Sequence, residues 1–119
     1  VSCEMLLSDG TLTTFGPLTE EELEAKCKLN TLEGSIYRIA VELRSQNLPF
    51  PTIPRCVSGY NLPKLQEKPF NLAKVIAGSE GTLGIVTEIE FDVVKTLPKT
   101  YLDLYFFPSM REAFAAVPD

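Results

Sequence analysis

Histidine is absent from this 119-residue sequence, cysteine occurs three times, and the 11 basic residues are outnumbered by 16 acidic ones. The first absence removes the commonest general base and metal ligand at neutral pH. Acid–base chemistry in any reaction this chain takes part in is therefore expected to lie elsewhere. Cys3, Cys27 and Cys56 are odd in number, far apart and without a C-x-x-C pair. They read as reduced thiols, not as metal ligands or disulfides. A net charge of −5 argues against nucleic acid, whose affinity comes from Lys and Arg neutralising phosphates. No apolar run is long enough to cross a bilayer, and no secretory leader is visible from Val1 onward. The expectation is a cytoplasmic chain without a transmembrane segment. What is present, 45% hydrophobic and 23% charged residues, is ordinary for a globular domain, and the length suffices for a core of its own.

The stretch from Asn71 to Lys95 organises the rest. Residues 72–77 read as a short apolar helix with Asn71 placed to cap it. Ile85, Thr87, Ile89, Phe91 and Val93 then alternate with Val86, Glu88, Glu90, Asp92 and Val94, which predicts a strand with one buried and one wet face. Between helix and strand stands Gly78-Ser79-Glu80-Gly81-Thr82-Leu83-Gly84, with glycine at every third position. Residues without a Cβ reach φ > 0 and let backbone amides approach a ligand closely. Successive bare N–H groups can form a concavity for an anion such as phosphate. Two glycine motifs are excluded. The dinucleotide fingerprint runs from strand into helix, the reverse of the order here. A Walker loop requires Gly-Lys-Ser/Thr, and this loop has no lysine. On spacing alone a purely structural turn and a ligand cradle both stay open.

Upstream, residues 1–16 predict a hairpin, because Asp9-Gly10 supplies both φ > 0 positions of a two-residue type I′ turn. Leu7 is then expected opposite Leu12, Met5 opposite Thr14 and Ser8 opposite Thr11. One face would carry Cys3, Met5, Leu7 and Leu12, and the other Leu6, Phe15 and mostly polar groups. Thr19 and Glu22 form a capping box that opens an acidic helix with Glu20, Glu21 and Glu24 on a solvated face. Leu32, Ile36, Ile39, Ala40 and Leu43 share one face of a second helix over about 32–46, with Arg38, Glu42 and Arg44 pointing away. Pro49, Pro51 and Pro54 mark an extended connection within the domain. Asn61 is placed to cap a short helix with Pro63 in its first turn. Arg55 and Tyr60 are the polar residues nearest the glycine loop in sequence. Arg55 is suited to a phosphate or carboxylate and equally to a surface ion pair. Residues 101–107 read as a new strand, and Ser109 with Glu112 caps a last helix, still amphipathic at Asp119. The fold class expected is α+β, a mostly antiparallel sheet flanked by helices.

Gly78-Ser79-Glu80-Gly81-Thr82-Leu83-Gly84-Ile85-Val86-Thr87-Glu88 resembles the signature of the FAD-linked oxidases of the vanillyl-alcohol oxidase/PCMH superfamily. The D-lactate, glycolate and D-2-hydroxyglutarate dehydrogenase branch is the most similar. Arg55-Cys56-Val57-Ser58-Gly59-Tyr60-Asn61-Leu62 resembles the segment that precedes this loop in that branch, and the resemblance covers roughly residues 1–98. It implies the second half of a PCMH-type FAD-binding domain over residues 1–97, followed by the first strand and helix of a substrate-binding cap over 98–119. It further implies a parent enzyme that oxidises a small 2-hydroxy acid by hydride transfer to FAD. Gly78, Ser79, Glu80, Gly81, Thr82, Leu83, Gly84 and Ile85 are the cofactor contacts it implies, with no catalytic residue and no metal ligand in this chain. An ether-lipid synthase or sugar-oxidase relative shares the loop. A non-enzymatic acidic interaction domain is the alternative of another class. The chain alone is expected to be inactive and to self-associate through strand edges that its partners would otherwise cover.

Overall fold

The structure, a computed structural model, describes residues 1–46, 48–50 and 59–117. In chain order they form β1 (Ser2–Leu6), β2 (Leu12–Phe15), β3 (Pro17–Leu18), α1 (Glu20–Cys27) and α2 (Leu32–Ser45). A 3-10 helix (Leu62–Gln66), β4 (Phe70–Asn71), α3 (Ala73–Ile76), β5 (Ile85–Glu90) and α4 (Met110–Ala115) follow. A three-stranded antiparallel sheet has the order β2-β1-β5, and β3 pairs with β4 in a second, small antiparallel sheet. The class is α+β, as expected. Among the described residues the large sheet is covered by helix on one face only: Met5 and Phe15 face Ile36 of α2 and Val75 of α3. The other face presents Ser2, Glu4, Thr14, Glu88 and Glu90.

The opening hairpin differs from expectation by one residue. Its loop is Ser8, Asp9 and Gly10: the Leu7 amide donates to the Thr11 carbonyl at 2.9 Å, and Gly10 takes φ +82°. Asp9 Oδ1 accepts the Thr11 amide at 2.9 Å, which holds the longer loop. Leu6 therefore faces Leu12 and Met5 faces Thr13. A one-residue slip exchanges the faces of a strand. Phe15 enters the core in place of Leu12, which stays exposed, and the larger aromatic surface is the one removed from water.

The Thr19 capping box forms as read: Glu22 Oε2 accepts the Thr19 amide at 2.8 Å, and Thr19 Oγ1 accepts the Glu22 amide at 3.3 Å. Glu20, Glu21, Glu22 and Glu24 are exposed. On α2 the buried residues are Gly34, Tyr37 and Ala40, so the inner face is turned away from Ile39, which is exposed. Gly34 explains the turn. A Cβ there would stand 2.1 Å from the Leu29 carbonyl oxygen, so the α1–α2 connection packs directly on the helix backbone. Arg38 and Arg44 do not simply point to solvent. Arg38 donates to the Cys27 and Leu29 carbonyls at 2.7 and 2.9 Å, and Arg44 pairs with Glu20 at 2.9 Å while lying over the Phe70 ring. Phe15, Tyr37 and Phe70 form an aromatic row with ring centroids 5.9 and 6.4 Å apart, linking the sheet, α2 and β4.

Leu72, not Asn71, is the N-cap of α3; Asn71 stands one residue earlier, its Oδ1 accepting the Ala73 amide at 2.9 Å, and its Nδ2 donates to the Val1 carbonyl. Asn61 caps with its backbone only: its carbonyl accepts the Lys64 amide, and its side chain makes no cap. Arg55, Cys56, Val57, Ser58 and the prolines at 51 and 54 lie outside the described residues, as does Asp119. The strand after the glycines ends at Glu90, and all six of its residues are exposed. A register shift between Glu4 and Met5 sets Val86 opposite Met5 and Ile89 opposite Cys3. This bulge interrupts the strict alternation, and among the described residues no helix covers β5. Residues 101–107 pair with no strand. Tyr101, Leu102, Leu104, Tyr105 and Phe106 are all exposed, since an apolar run becomes a strand only where a neighbour takes its hydrogen bonds. Ser109 caps α4 by accepting the Glu112 amide at 3.3 Å.

The charges predict the pH response. Hydrogen bonds from Arg44 hold the Glu20 carboxyl below its usual range, those from Thr19 do the same for Glu22, and Lys64 and Lys74 lower Glu67. Their stabilisation is complete above the unfolded-state pKa and disappears as pH falls through the carboxylate range. Burial raises the Tyr37 phenol, so its contribution is present below about pH 10 and lost above it. With no histidine, the thermal midpoint should be level between about pH 6 and 8, fall on both sides, and lose much of its alkaline fall in Tyr37→Phe. A midpoint that changes through neutrality would contradict this.

Candidate functional site

The glycine loop connects α3 to β5. The Ser79 amide donates to the Ile76 carbonyl at 3.0 Å, closing the end of the helix, and Ser79 is buried. The Thr82 amide then donates to the Ser79 carbonyl at 3.0 Å. Between them Glu80 has φ +52° and Gly81 φ +75°. Two successive positive φ angles within an i to i+3 hydrogen bond are the pattern of a type I′ turn. Glycine meets that demand without penalty. At Glu80 the left-handed backbone costs about 1–2 kcal/mol, so the surroundings must hold it.

Part of that hold comes from outside the loop. Thr82 Oγ1 donates to the Ser79 carbonyl at 2.6 Å, and the Tyr60 hydroxyl lies 2.8 Å from the same Oγ1. Thr82 has one hydroxyl proton and has given it to Ser79, so Tyr60 is the donor in the second bond. The Gly59 carbonyl lies 3.8 Å from where a Cβ on Gly78 would stand. Residues 59–60 thus flank the loop at both ends.

The three glycines have different environments. Gly78 sits at φ +87° beside Gly59. A Cβ on Gly81 would meet nothing within 4 Å. A Cβ on Gly84 would stand 2.8 Å from Met5 Sδ and 3.0 Å from the Leu6 carbonyl oxygen, so this glycine is where β1 crosses close over the chain. Ile85 follows at once, opposite Leu6 at the start of β5. Glu80, Gly81, Thr82, Leu83 and Ile85 are exposed. Among the described residues no acceptor takes the amides of Glu80, Gly81 or Leu83. Glu80 forms no ion pair among them, and the nearby Lys74 is engaged by Glu67.

Beneath the loop, Leu83 closes an apolar cavity of about 110 Å³ shared with Met5, Phe15, Ile36 and Val75. On the other side Tyr60 and Leu83 border an apolar groove of about 270 Å³ with Ile39, Leu43 and Leu65. Both lie below the 300–1,000 Å³ usual for sites that enclose an organic ligand. The arrangement suits one wall of a larger site: exposed amide donors, open space above Gly81 and apolar side chains beside them. The negative Glu80 and the lack of a lysine or arginine in the loop disfavour phosphate. Neutral carbonyl or ring-nitrogen acceptors of a flat heterocycle fit these donors better. Among the described residues no group of three His, Cys, Asp or Glu side chains could hold a metal ion. No helix there is long and apolar enough to cross a membrane.

The structure brings Tyr60 to the loop, whereas Arg55 lies outside the described residues. The Tyr60–Thr82 contact, with |i−j| of 22, was not legible from spacing. The Glu80-Gly81 turn was not legible either, since glutamate lies outside the Asn, Asp and Gly preference at its first central position.

No family model and no solved structure matches the chain. Among curated proteins, the D-2-hydroxyglutarate dehydrogenase of Pseudomonas putida is 34% identical over 90 residues, which is 70% of this chain and 9% of that protein. The D-2-hydroxyglutarate dehydrogenase of Escherichia coli is 32% identical over 102 residues, 79% of this chain and 10% of that protein. The chain therefore spans about a tenth of the length of the curated relatives it matches. Over most of its own length the chain is related to dehydrogenases. The relatives it matches are D-2-hydroxy acid dehydrogenases.

Substitutions should separate the glycines. Gly84→Ala is expected to lower stability by about 1–3 kcal/mol, because Met5 and the Leu6 backbone cannot both withdraw. Gly81→Asn, a residue that tolerates the left-handed region, should cost less than about 1 kcal/mol. Urea unfolding of the two variants decides, and equal losses would overturn the distinction.

Proposed function

We propose that this chain is the second half of a PCMH-type FAD-binding domain, residues 1–97, continued by the first strand and helix of a substrate-binding cap in residues 98–119. On this reading the full-length protein is an FAD-dependent dehydrogenase that oxidises a D-2-hydroxy acid to the 2-oxo acid. Support comes from one observation above all. In a chain a third identical to two D-2-hydroxyglutarate dehydrogenases, a strained and exposed turn leaves the amides of Glu80, Gly81 and Leu83 without acceptors. The names of both relatives favour this reading over an ether-lipid synthase, a sugar oxidase or a non-enzymatic interaction domain.

Residues 78–85 would form the cofactor wall. The free amides donate to polar atoms of the flavin, Gly81 leaves room for a close approach, and Leu83 supplies an apolar flank. The bound flavin supplies the electron-accepting chemistry, and the protein binds and orients it. A donor fixed before binding needs no reordering when the ligand arrives. This is the use of a left-handed Glu80 held in place beforehand.

The test is the full-length protein, which should be purified yellow. Gly81→Asn fills the space above the turn while keeping its backbone, and should lower flavin occupancy severalfold with little change in the melting of the apoprotein. Normal flavin affinity beside a strongly destabilised apoprotein would instead make the loop a structural turn and remove the cofactor reading.

The 119-residue chain alone carries one wall of the site and should be colourless after gel filtration. Among the described residues β5 is unpaired on its outer edge, with Phe91, Val93, Val94, Tyr101, Leu102, Leu104, Tyr105 and Phe106 in water. An apolar surface of this kind associates. Light scattering at micromolar concentration should show particles larger than a monomer, and a monodisperse monomer would refute the expectation.

A further inference from the structure

We infer that Tyr60 is the positioning residue of the glycine loop, acting through Thr82 to keep the Glu80-Gly81 turn in its left-handed form. The inference rests on the cofactor reading above only for its consequence, not for its geometry. The Tyr60 hydroxyl donates to Thr82 Oγ1, which donates to the Ser79 carbonyl, and that carbonyl also closes the turn by accepting the Thr82 amide. Ser79 is buried, so this carbonyl is a fixed post. The chain of bonds runs from it through Thr82 to Tyr60, 22 residues before Thr82, and the turn cannot open without breaking two bonds to one oxygen.

The need for such a clamp follows from the sequence of the turn. Type I′ turns favour Asn, Asp or Gly at the first central position, and here that position is Glu80 at φ +52°. A long side chain in that region gains no local hydrogen bond to its own backbone, which is what makes Asn and Asp tolerable there. No ion pair of Glu80 compensates among the described residues. Thr82 and Tyr60 supply the missing local bonds from the other side of the turn. Tyr60 is itself placed by its ring, which borders the apolar groove with Leu62, Leu65 and Leu83, and by its carbonyl, which accepts the Leu62 amide at 2.8 Å. Tyr60 lies along this groove with 43% of its surface exposed, and its hydroxyl reaches the loop. Tyr60→Phe would keep the ring and remove only the hydroxyl.

The experiment uses the full-length protein with Tyr60→Phe, Thr82→Val, Thr82→Ser and the Tyr60→Phe/Thr82→Val pair. Amide hydrogen exchange at Ser79 and Thr82, the two bonded amides of the loop, is followed without flavin, and flavin affinity is measured on the same samples. A net hydrogen bond of about 0.5–1.5 kcal/mol corresponds to loop exchange roughly 2- to 10-fold faster. Both single variants should show this, the pair should be no worse than the worse single, and Thr82→Ser should exchange like the parent. Thr82→Ser restores the hydroxyl alone, so its rescue separates the clamp from a packing role for Thr82. Unchanged exchange in Tyr60→Phe, or additive effects in the pair, would overturn the inference. Faster exchange with weaker flavin binding supports both the clamp and the cofactor reading. Faster exchange with flavin affinity unaltered in every variant supports the clamp and defeats the cofactor reading.

Discussion

Met5 and Leu6 of β1 lie so close to Gly84 that no side chain fits between them, and the placement of the glycine loop depends on that approach. β1 is the central strand of the sheet, paired to β2 on one edge and β5 on the other. Its alternate residues Cys3 and Met5 are buried in the core with Phe15, which sets the strand's depth. Gly84 is where the chain leaving α3 must pass over it before pairing as β5. The end of the loop is thereby referred to the hydrophobic core. Its beginning is referred to the core through α3, whose Ala73 amide is held by the buried Asn71, which also ties down the Val1 carbonyl. A turn held at both ends by buried groups can carry strain in the middle, and Glu80 is where the strain appears.

The glycines at 78, 81 and 84 form an even series in sequence but do three jobs. Gly84 is glycine because of what already touches it. Gly81 is glycine because of its φ angle, with empty space beside it. Gly78 combines a positive φ with the nearness of the Gly59 backbone. Spacing alone could not separate these roles, since a missing side chain looks the same in each. The separation needs the neighbour's position, and the neighbours are β1 and residues 59–60, both distant in sequence.

The same limit accounts for the other differences between sequence and structure. Capping was legible at Thr19 and Ser109, because each cap is decided within four residues. The hairpin register was not, because the choice between a two- and a three-residue loop was settled by burying Phe15 against Tyr37, far along the chain. The face of α2 turned because Gly34 admits the Leu29 carbonyl, a contact no helical period encodes. Arg38 and Arg44 fit a solvent-facing stripe by periodicity, yet they tie α2 to α1. Residues 101–107 carry a strong strand pattern and no strand, since the partner that would accept their hydrogen bonds is not among the described residues.

That last case bears on how the loop should be read. A chain covering about a tenth of its relatives shows two kinds of exposed surface, and they differ physically. Residues 91–107 are largely apolar and exposed, and they make no hydrogen bond to another described residue. The glycine loop is exposed in a different way. It is internally bonded from Ile76 to Thr82, tied to Tyr60, and leaves amide donors facing outward beside the exposed Leu83 and Ile85. An unpaired strand run gains order only when its neighbour arrives. The loop has its order already, at the cost of a left-handed glutamate. On the reading proposed above, that order, maintained against strain in a polar, outward-facing turn, is what a binding wall requires.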